Sequence, residues 1–303
     1  MHKPIKLAKP GFVQIWWTAI RPRTLGMALA PVALGNALAA VQTHLDLLIL
    51  AATLGCALLI QIGTNLYNDA VDFERGTDRP ERLGPLRVTL AGWASARAVK
   101  RAAGLCLLLT LLLGIGLVLV GGWLILAIGL ASLVAGWAYS GGRHPISHTP
   151  FGELFVLVFF GVLAVAGSHW LQSRQLLWAD LLAGLAIGAP AAAVLLINNF
   201  RDLATDRQAG RRTLAACLGA QATRRVFAAL LAAPIPLLLT VAANGYPGAL
   251  LGLACWPVFL PLIRQFQGGL SGAALNQLLA ATARNGSLLG ILAALGIALQ
   301  LAW

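Results

Sequence analysis

Residues 47–72, LLILAATLGCALLIQIGTNLYNDAVD, begin as an apolar run long enough to cross a bilayer and end in amides and carboxylates. About 20 apolar residues span the hydrocarbon core as a helix. Eight more runs share the apolar character: 25–41, 102–120, 123–139, 151–171, 177–197, 226–243, 246–263 and 287–303. The run at 177–197 also has a polar ending, Asn198-Asn199-Phe200-Arg201-Asp202-Leu203-Ala204-Thr205-Asp206. With 303 residues, 59% of them hydrophobic and 11% charged, the chain is too apolar for a soluble domain. These features predict an all-α, polytopic membrane protein: about nine helices bundled around a cytoplasm-facing cavity, in one domain over 1–303. Within it, residues 1–24 carry Lys3, Lys6 and Lys9 and then Phe12, Ile15, Trp16 and Trp17. That pattern suits a short helix lying in the bilayer interface better than a cleavable signal.

Lysine and arginine in short loops set orientation. With the N-terminus cytoplasmic and the C-terminus outside, only Arg174 of the 22 basic residues falls on the outer side. The net charge of +12 is therefore mostly a topology signal, and no nucleic-acid partner is indicated. The expected location is the inner (cytoplasmic) membrane of a cell, with both polar endings at the cytoplasmic face. Cys56, Cys106, Cys217 and Cys255 lack paired metal-type spacing and read as small hydrophobes. Trp16, Trp17, Trp123, Trp170, Trp178 and Trp303 fall near run ends, as interface anchors do.

Seven of the ten acidic residues lie in or just after the two endings: Asp69, Asp72, Glu74, Asp78, Glu81, Asp202 and Asp206. A charge near the bilayer centre costs about 2.5–3.5 kcal/mol and is retained for a use. On a helix, positions i, i+3 and i+4 share a face, so Asn65, Asp69 and Asp72 can converge, as can Asn198, Asp202 and Asp206. Opposed carboxylates repel unless protons or cations intervene. Mg²⁺ suits such a site, because it takes oxygen ligands and joins one or two carboxylates to substrate phosphates. The bland alternative is loop acids paired with Arg75, Arg79, Arg82, Arg201 or Arg207, at about 0–1 kcal/mol each.

Asn65-x3-Asp69-x2-Asp72 and Asn198-x3-Asp202-x3-Asp206 resemble the two aspartate-rich motifs of the UbiA superfamily of intramembrane prenyltransferases, and the resemblance covers nearly the whole chain. Arg21-Pro22-Arg23-Thr24-Leu25, Gly76-Thr77-Asp78, Arg82-Leu83-Gly84-Pro85-Leu86-Arg87, Tyr139-Ser140-Gly141-Gly142 and Phe151-Gly152-Glu153-Leu154-Phe155 are similar to the branch that prenylates 1,4-dihydroxy-2-naphthoate. Gly210-Arg211-Arg212-Thr213-Leu214 is shared more widely. The resemblance implies transfer of a polyprenyl group from polyprenyl diphosphate to 1,4-dihydroxy-2-naphthoate, with loss of diphosphate and CO₂. It also implies Mg²⁺ on Asp69, Asp72, Asp202 and Asp206, substrate contacts from Asn65, Asn198, Arg21 and Arg143, and Tyr139 facing the reacting centre. Arg143 stands where related branches carry Lys, as Tyr-x3-Lys, and His148 stands where relatives carry an aromatic hydroxyl.

Asp78 and Glu81 are candidate extensions of the first metal site, and Asn276 and Gln277 candidate substrate contacts. Glu153 is expected to cap a helix N-terminus, and His169 to lie far from both clusters. Other readings are a prenyltransferase acting on 4-hydroxybenzoate or homogentisate, and an ion-coupled secondary transporter. A phospholipid head-group transferase would show an Asp-Gly-x2-Ala-Arg opening, which this sequence lacks.

Overall fold

The computed structural model describes residues 7–77 and 83–300, and the described residues form helices and no strands. Lys3, Lys6, Asp78, Arg79, Glu81, Arg82 and Trp303, weighed above, lie outside the described residues. The helices are α1 (Phe12–Ile20), α2 (Gly26–Ala40), α3 (Leu47–Glu74), α4 (Ala96–Gly121), α5 (Trp123–Ser140), α6 (Gly152–Ser173), α7 (Trp178–Arg201), α8 (Leu203–Gln208), α9 (Leu214–Ala243), α10 (Pro247–Gln267) and α11 (Gly272–Leu299). Among the described residues, eight of these are long and apolar enough to cross a membrane: α3–α7 and α9–α11.

The ninth expected span, 25–41, is α2, and its 15 residues rise only about 22 Å. It nevertheless connects the two ends of the bundle. At its start, Asn65 of α3 donates to the carbonyl of Ile20 and to Thr24 Oγ1; just past its end, Gln42 Nε2 donates to Tyr246 Oη at 2.8 Å. At that same far end, Gln172 Oε1 accepts from the backbone amide of Asp46, and Gln300 Nε2 donates to the carbonyl of Gly245. The helices therefore alternate in direction between two polar ends. Helices α4 and α9 begin at Ala96 and Leu214, before the apolar runs at 102–120 and 226–243.

Helix α7 is the most enclosed crossing, and its small-residue composition explains how. Gly184 and Gly188 pack against Gly161 of α6 so closely that a Cβ on Gly161 would fall onto the Gly184 carbonyl oxygen. In a bilayer such close backbone approach replaces the hydrophobic driving force available in water. Beside this contact, α6 widens into a π-helical stretch, Val158–Leu163, which turns Phe159 and Phe160 into the bundle's cavity. A short π stretch inside a helix frequently marks a functional site. Leucines of α4, among them Leu105, Leu112 and Leu119, face outward.

Helix α1 lies against this bundle with Ile15 and Ala19 buried beside Leu66, Ala70 and Val99, while Phe12, Val13 and Trp17 face out. It stops at Arg21, whose φ of 55° breaks the helical path. Cys255 is buried, Cys56 and Cys106 are half-buried and Cys217 is exposed; all four are free thiols.

Candidate active site

A cavity of about 890 Å³ runs through the bundle. Its polar end is lined by Arg21, Arg23, Asn65, Asn68, Asp72, Tyr139, Asn198, Asp202, Asp206 and Arg211. Its other end is apolar, with Leu117, Leu119, Ile125, Leu126 and Leu171. Along α3 the lining extends from Asp72 back to Thr53, about 28 Å at 1.5 Å per residue.

The clusters converge, but in a different register on α3. Viewed down the helix, Asn65, Asn68 and Asp72 fall within about 60°, whereas Asp69 stands about 40° beyond Asn65 on the other side. Asp69 does not line the cavity. Its carboxylate accepts from the backbone amides of Val88 (3.1 Å) and Thr89 (3.2 Å) and from the Thr89 hydroxyl, so it anchors the loop after α3. The expectation that Asp69 joins the cavity-facing acids is corrected here. Asn68 takes the place instead, held by a 2.5 Å bond from Ser140 Oγ to its Oδ1. Asn68-x3-Asp72 has the spacing of Asn198-x3-Asp202, which is the sequence signal that identifies it. Asn65 lines the cavity while its amide secures the Ile20–Thr24 turn, and so positions Arg21 and Arg23.

Arg143 is exposed and outside the cavity lining. For Tyr139 and Arg143 to share a face, α5 would have to continue one more turn, but it ends at Ser140 and reverses at Gly142, where φ is 72°. Arg75 fastens this turn by donating to the carbonyls of Ser140 (2.5 Å) and Gly142 (2.6 Å). Tyr139 does line the cavity.

Guanidinium groups hold every cavity-facing acid. Arg87 Nη2 donates to Asp72 Oδ2 at 2.8 Å. Arg201 grips both oxygens of its neighbour Asp202, at 2.8 and 2.6 Å. Arg211 lies 3.3 Å from both Asp72 and Asp206. The bland expectation of acid–arginine pairing is therefore correct for Arg201, although these pairs are buried rather than on the surface. Arg201 also donates to Asn276 of α11, whose amide reaches the carbonyl of Leu83, so α7, α11 and the loop after α3 are tied together. Burial pushes the Asp206 carboxyl up to about 6 against the opposing pull of Arg211, and neighbouring carboxylates of Asp202 and Asp72 add to the rise.

His148 is not in the lining. Burial, helped by Arg211, lowers its pKa to about 4, and its carbonyl accepts from the Arg212 amide at 2.9 Å, which anchors the segment carrying Arg211. Glu153 lies in the first turn of α6 and accepts from Asn199 Nδ2 at 2.9 Å. His169 pairs with Asp180 (2.5 Å), buried between α6 and α7 near the far end.

The donor set is hard oxygen: carboxylates of Asp72, Asp202 and Asp206 and amides of Asn68 and Asn198, with no imidazole among the described lining residues and the lining thiol, Cys56, far back along α3 from Asp72. Among the described residues no three His, Cys, Asp or Glu side chains group as a metal site. Mg²⁺ needs only one or two carboxylates when substrate phosphate oxygens and water complete its shell, so these residues fit it.

Fold and cavity define a polytopic helical membrane protein with one acid- and arginine-lined head end and one apolar end. The model of the UbiA prenyltransferase family matches residues 28–277, and the chain belongs to that family. It is 41% identical over 226 residues to 1,4-dihydroxy-2-naphthoate octaprenyltransferase of Escherichia coli (strain K12), covering 72% of this chain and 73% of that one. To the protein of the same name from Mycobacterium tuberculosis it is 37% identical over 258 residues, covering 85% and 87%. A UbiA homolog from Archaeoglobus fulgidus, solved with GPP and Mg²⁺, superposes with a TM-score of 0.68 at 17% identity over 94% of this chain and 99% of that one. A UbiA homolog from Aeropyrum pernix K1, solved without ligand, gives 0.67 at 16% identity over 91% and 98%. Membership in this family of enzymes sets aside the ion-coupled transporter.

Proposed function

We propose that the protein transfers a polyprenyl group from polyprenyl diphosphate to 1,4-dihydroxy-2-naphthoate, releasing diphosphate and CO₂ and giving demethylmenaquinol. The observation that carries this reading is the cavity's polarity: an acid, amide and arginine head end joined to an apolar far end, along a lining that runs about 28 Å on α3 in all. A polyprenyl diphosphate has the same division. The acceptor assignment is supported by the relatives that bear its name.

Asp72, Asp202 and Asp206, with Asn68 and Asn198, are the residues that would hold Mg²⁺, and Mg²⁺ supplies charge neutralisation for a departing diphosphate. Arg21, Arg23 and Arg211 line the same end and can donate to phosphate oxygens. The allylic C–O bond breaks and its electron pair leaves with the diphosphate. The ring carbon bearing the carboxylate attacks the allylic carbon, a C–C bond forms, and the C–CO₂ bond breaks to return its pair to the ring. No base is needed at that carbon. Tyr139, Phe159 and Phe160 present ring faces and edges that suit an allylic cation better than water does. The Lys and Arg distribution supports an N-terminus in the cytoplasm, a C-terminus outside, and the acidic end facing the cytoplasm in a bacterial inner membrane.

The test is purified protein with Mg²⁺, octaprenyl diphosphate and 1,4-dihydroxy-2-naphthoate, followed for diphosphate and labelled CO₂. The two should appear together in equal amounts. Turnover with 4-hydroxybenzoate and none with the naphthoate would overturn the acceptor.

A further inference from the structure

The three guanidinium groups that pair with the acids of the cavity's head are held very differently. The Arg201 side chain is fully buried and makes four hydrogen bonds of 2.6–2.8 Å, to both Asp202 oxygens, to Asn198 and to Asn276. Arg87 donates to the carbonyl of Asn68 at 2.7 Å and to Asp72 Oδ2 at 2.8 Å. The Arg211 guanidinium makes only two hydrogen bonds among the described residues, both long at 3.3 Å, to Asp72 Oδ1 and Asp206 Oδ1. Bonds between charged groups normally shorten to about 2.7–2.9 Å. Arg211 Nε is buried and has no hydrogen-bond partner among the described residues. The residue sits on the short segment between α8 and α9, just after Gly210, whose φ is 72°. Of the three, it is the most exposed and the least anchored.

We propose that Arg211 is an exchangeable counter-charge. In the metal-free site its guanidinium spans Asp72 and Asp206 and neutralises them; when a divalent cation takes those carboxylates, it turns to the diphosphate of the donor. This deepens the prenyltransferase reading and rests on it. Two consequences of opposite sign follow. Arg211 competes with a cation added alone, because both need the same carboxylate oxygens, and it cooperates with a cation added with diphosphate, because it then has its own anion.

The experiment is calorimetric titration of the full-length protein in detergent with Mg²⁺ alone, and then with Mg²⁺ plus inorganic pyrophosphate. Arg211→Gln should bind Mg²⁺ alone about tenfold more tightly than the parent and Mg²⁺-pyrophosphate about tenfold more weakly. Arg211→Lys, which keeps the charge without the fork, should shift both in the same directions by less. Arg225→Gln, at an exposed arginine on α9 away from the cavity, should move neither. Unchanged or weaker binding of Mg²⁺ alone in Arg211→Gln, with the parent binding normally, overturns the exchange. A parent protein that takes up neither Mg²⁺ nor pyrophosphate sinks the prenyltransferase reading beneath it.

Discussion

Asp72 and Asp206, on helices far apart in the chain, each present an Oδ1 to the same guanidinium at 3.3 Å. The two halves of the acidic head are thus already drawn together by one positive charge, in the place where the proposed reaction needs others.

Asp72→Asn and Asp206→Asn are each expected to reduce turnover by about a hundredfold or more, the scale of losing one electrostatic partner of a developing charge. Folding should persist, since an amide is nearly isosteric. Initial rates beside a thermal melt of the same samples check this. Rates within about threefold of the parent in both variants would remove the metal assignment.

Asp69→Ala is expected to act on stability. Its carboxylate receives two backbone amides and a hydroxyl, and leaving buried donors unmet costs about 1–3 kcal/mol each. The melt should fall by several degrees. A variant with the parent's melting temperature but no activity would return Asp69 to the chemistry.

The Asp206 carboxyl is raised to about 6 by burial. A raised carboxyl favours the folded state in its protonated form. Its contribution is therefore fully present below the unfolded value of 3.8 and is lost as pH rises through about 6. Metal binding has the opposite slope, since the ligand must be deprotonated. Mg²⁺ affinity should weaken by up to about tenfold per pH unit below 6 and level off above it. Titrations at several pH values read this directly, and a flat profile from pH 5 to 7.5 would refute it.

Arg143→Gln should leave turnover within about threefold of the parent, because the side chain is exposed outside the cavity and such surface charges contribute little. A loss of a hundredfold would place Arg143 back at the diphosphate.

Gly161→Leu should prevent normal folding, because its Cβ already collides with the Gly184 carbonyl. Yield of monodisperse protein after extraction measures it. A well-behaved variant would show that α6 and α7 can separate.

Much of the fold was legible because the bilayer demands long apolar runs, and their order and ends are visible one residue at a time. The acidic clusters were equally visible, since carboxylates are rare in this chain. The face of α3 was not. Asn68 and Asp69, four and three residues before Asp72, stand about 100° apart, and only the packing of the 88–89 loop decides which side looks inward. Arg143 was assigned to the substrate through the resemblance and not through any geometry of its own, and α5 ends before it at Ser140, ahead of Gly141-Gly142, a stop that the sequence itself displays. Arg87 and Arg211 were quoted within motifs but not as site residues, because their pairing with Asp72 depends on loops closing over 15 and 139 residues.

Two residues of the cavity's lining, Trp17 and Leu119, are mostly exposed on the protein's outer skin. A greasy reactant can thus arrive sideways, from a film rather than from solution. Encounter frequency is then governed by how densely donor molecules populate the surrounding leaflet, so their dilution by other lipids would throttle output while their total amount in the sample stayed the same.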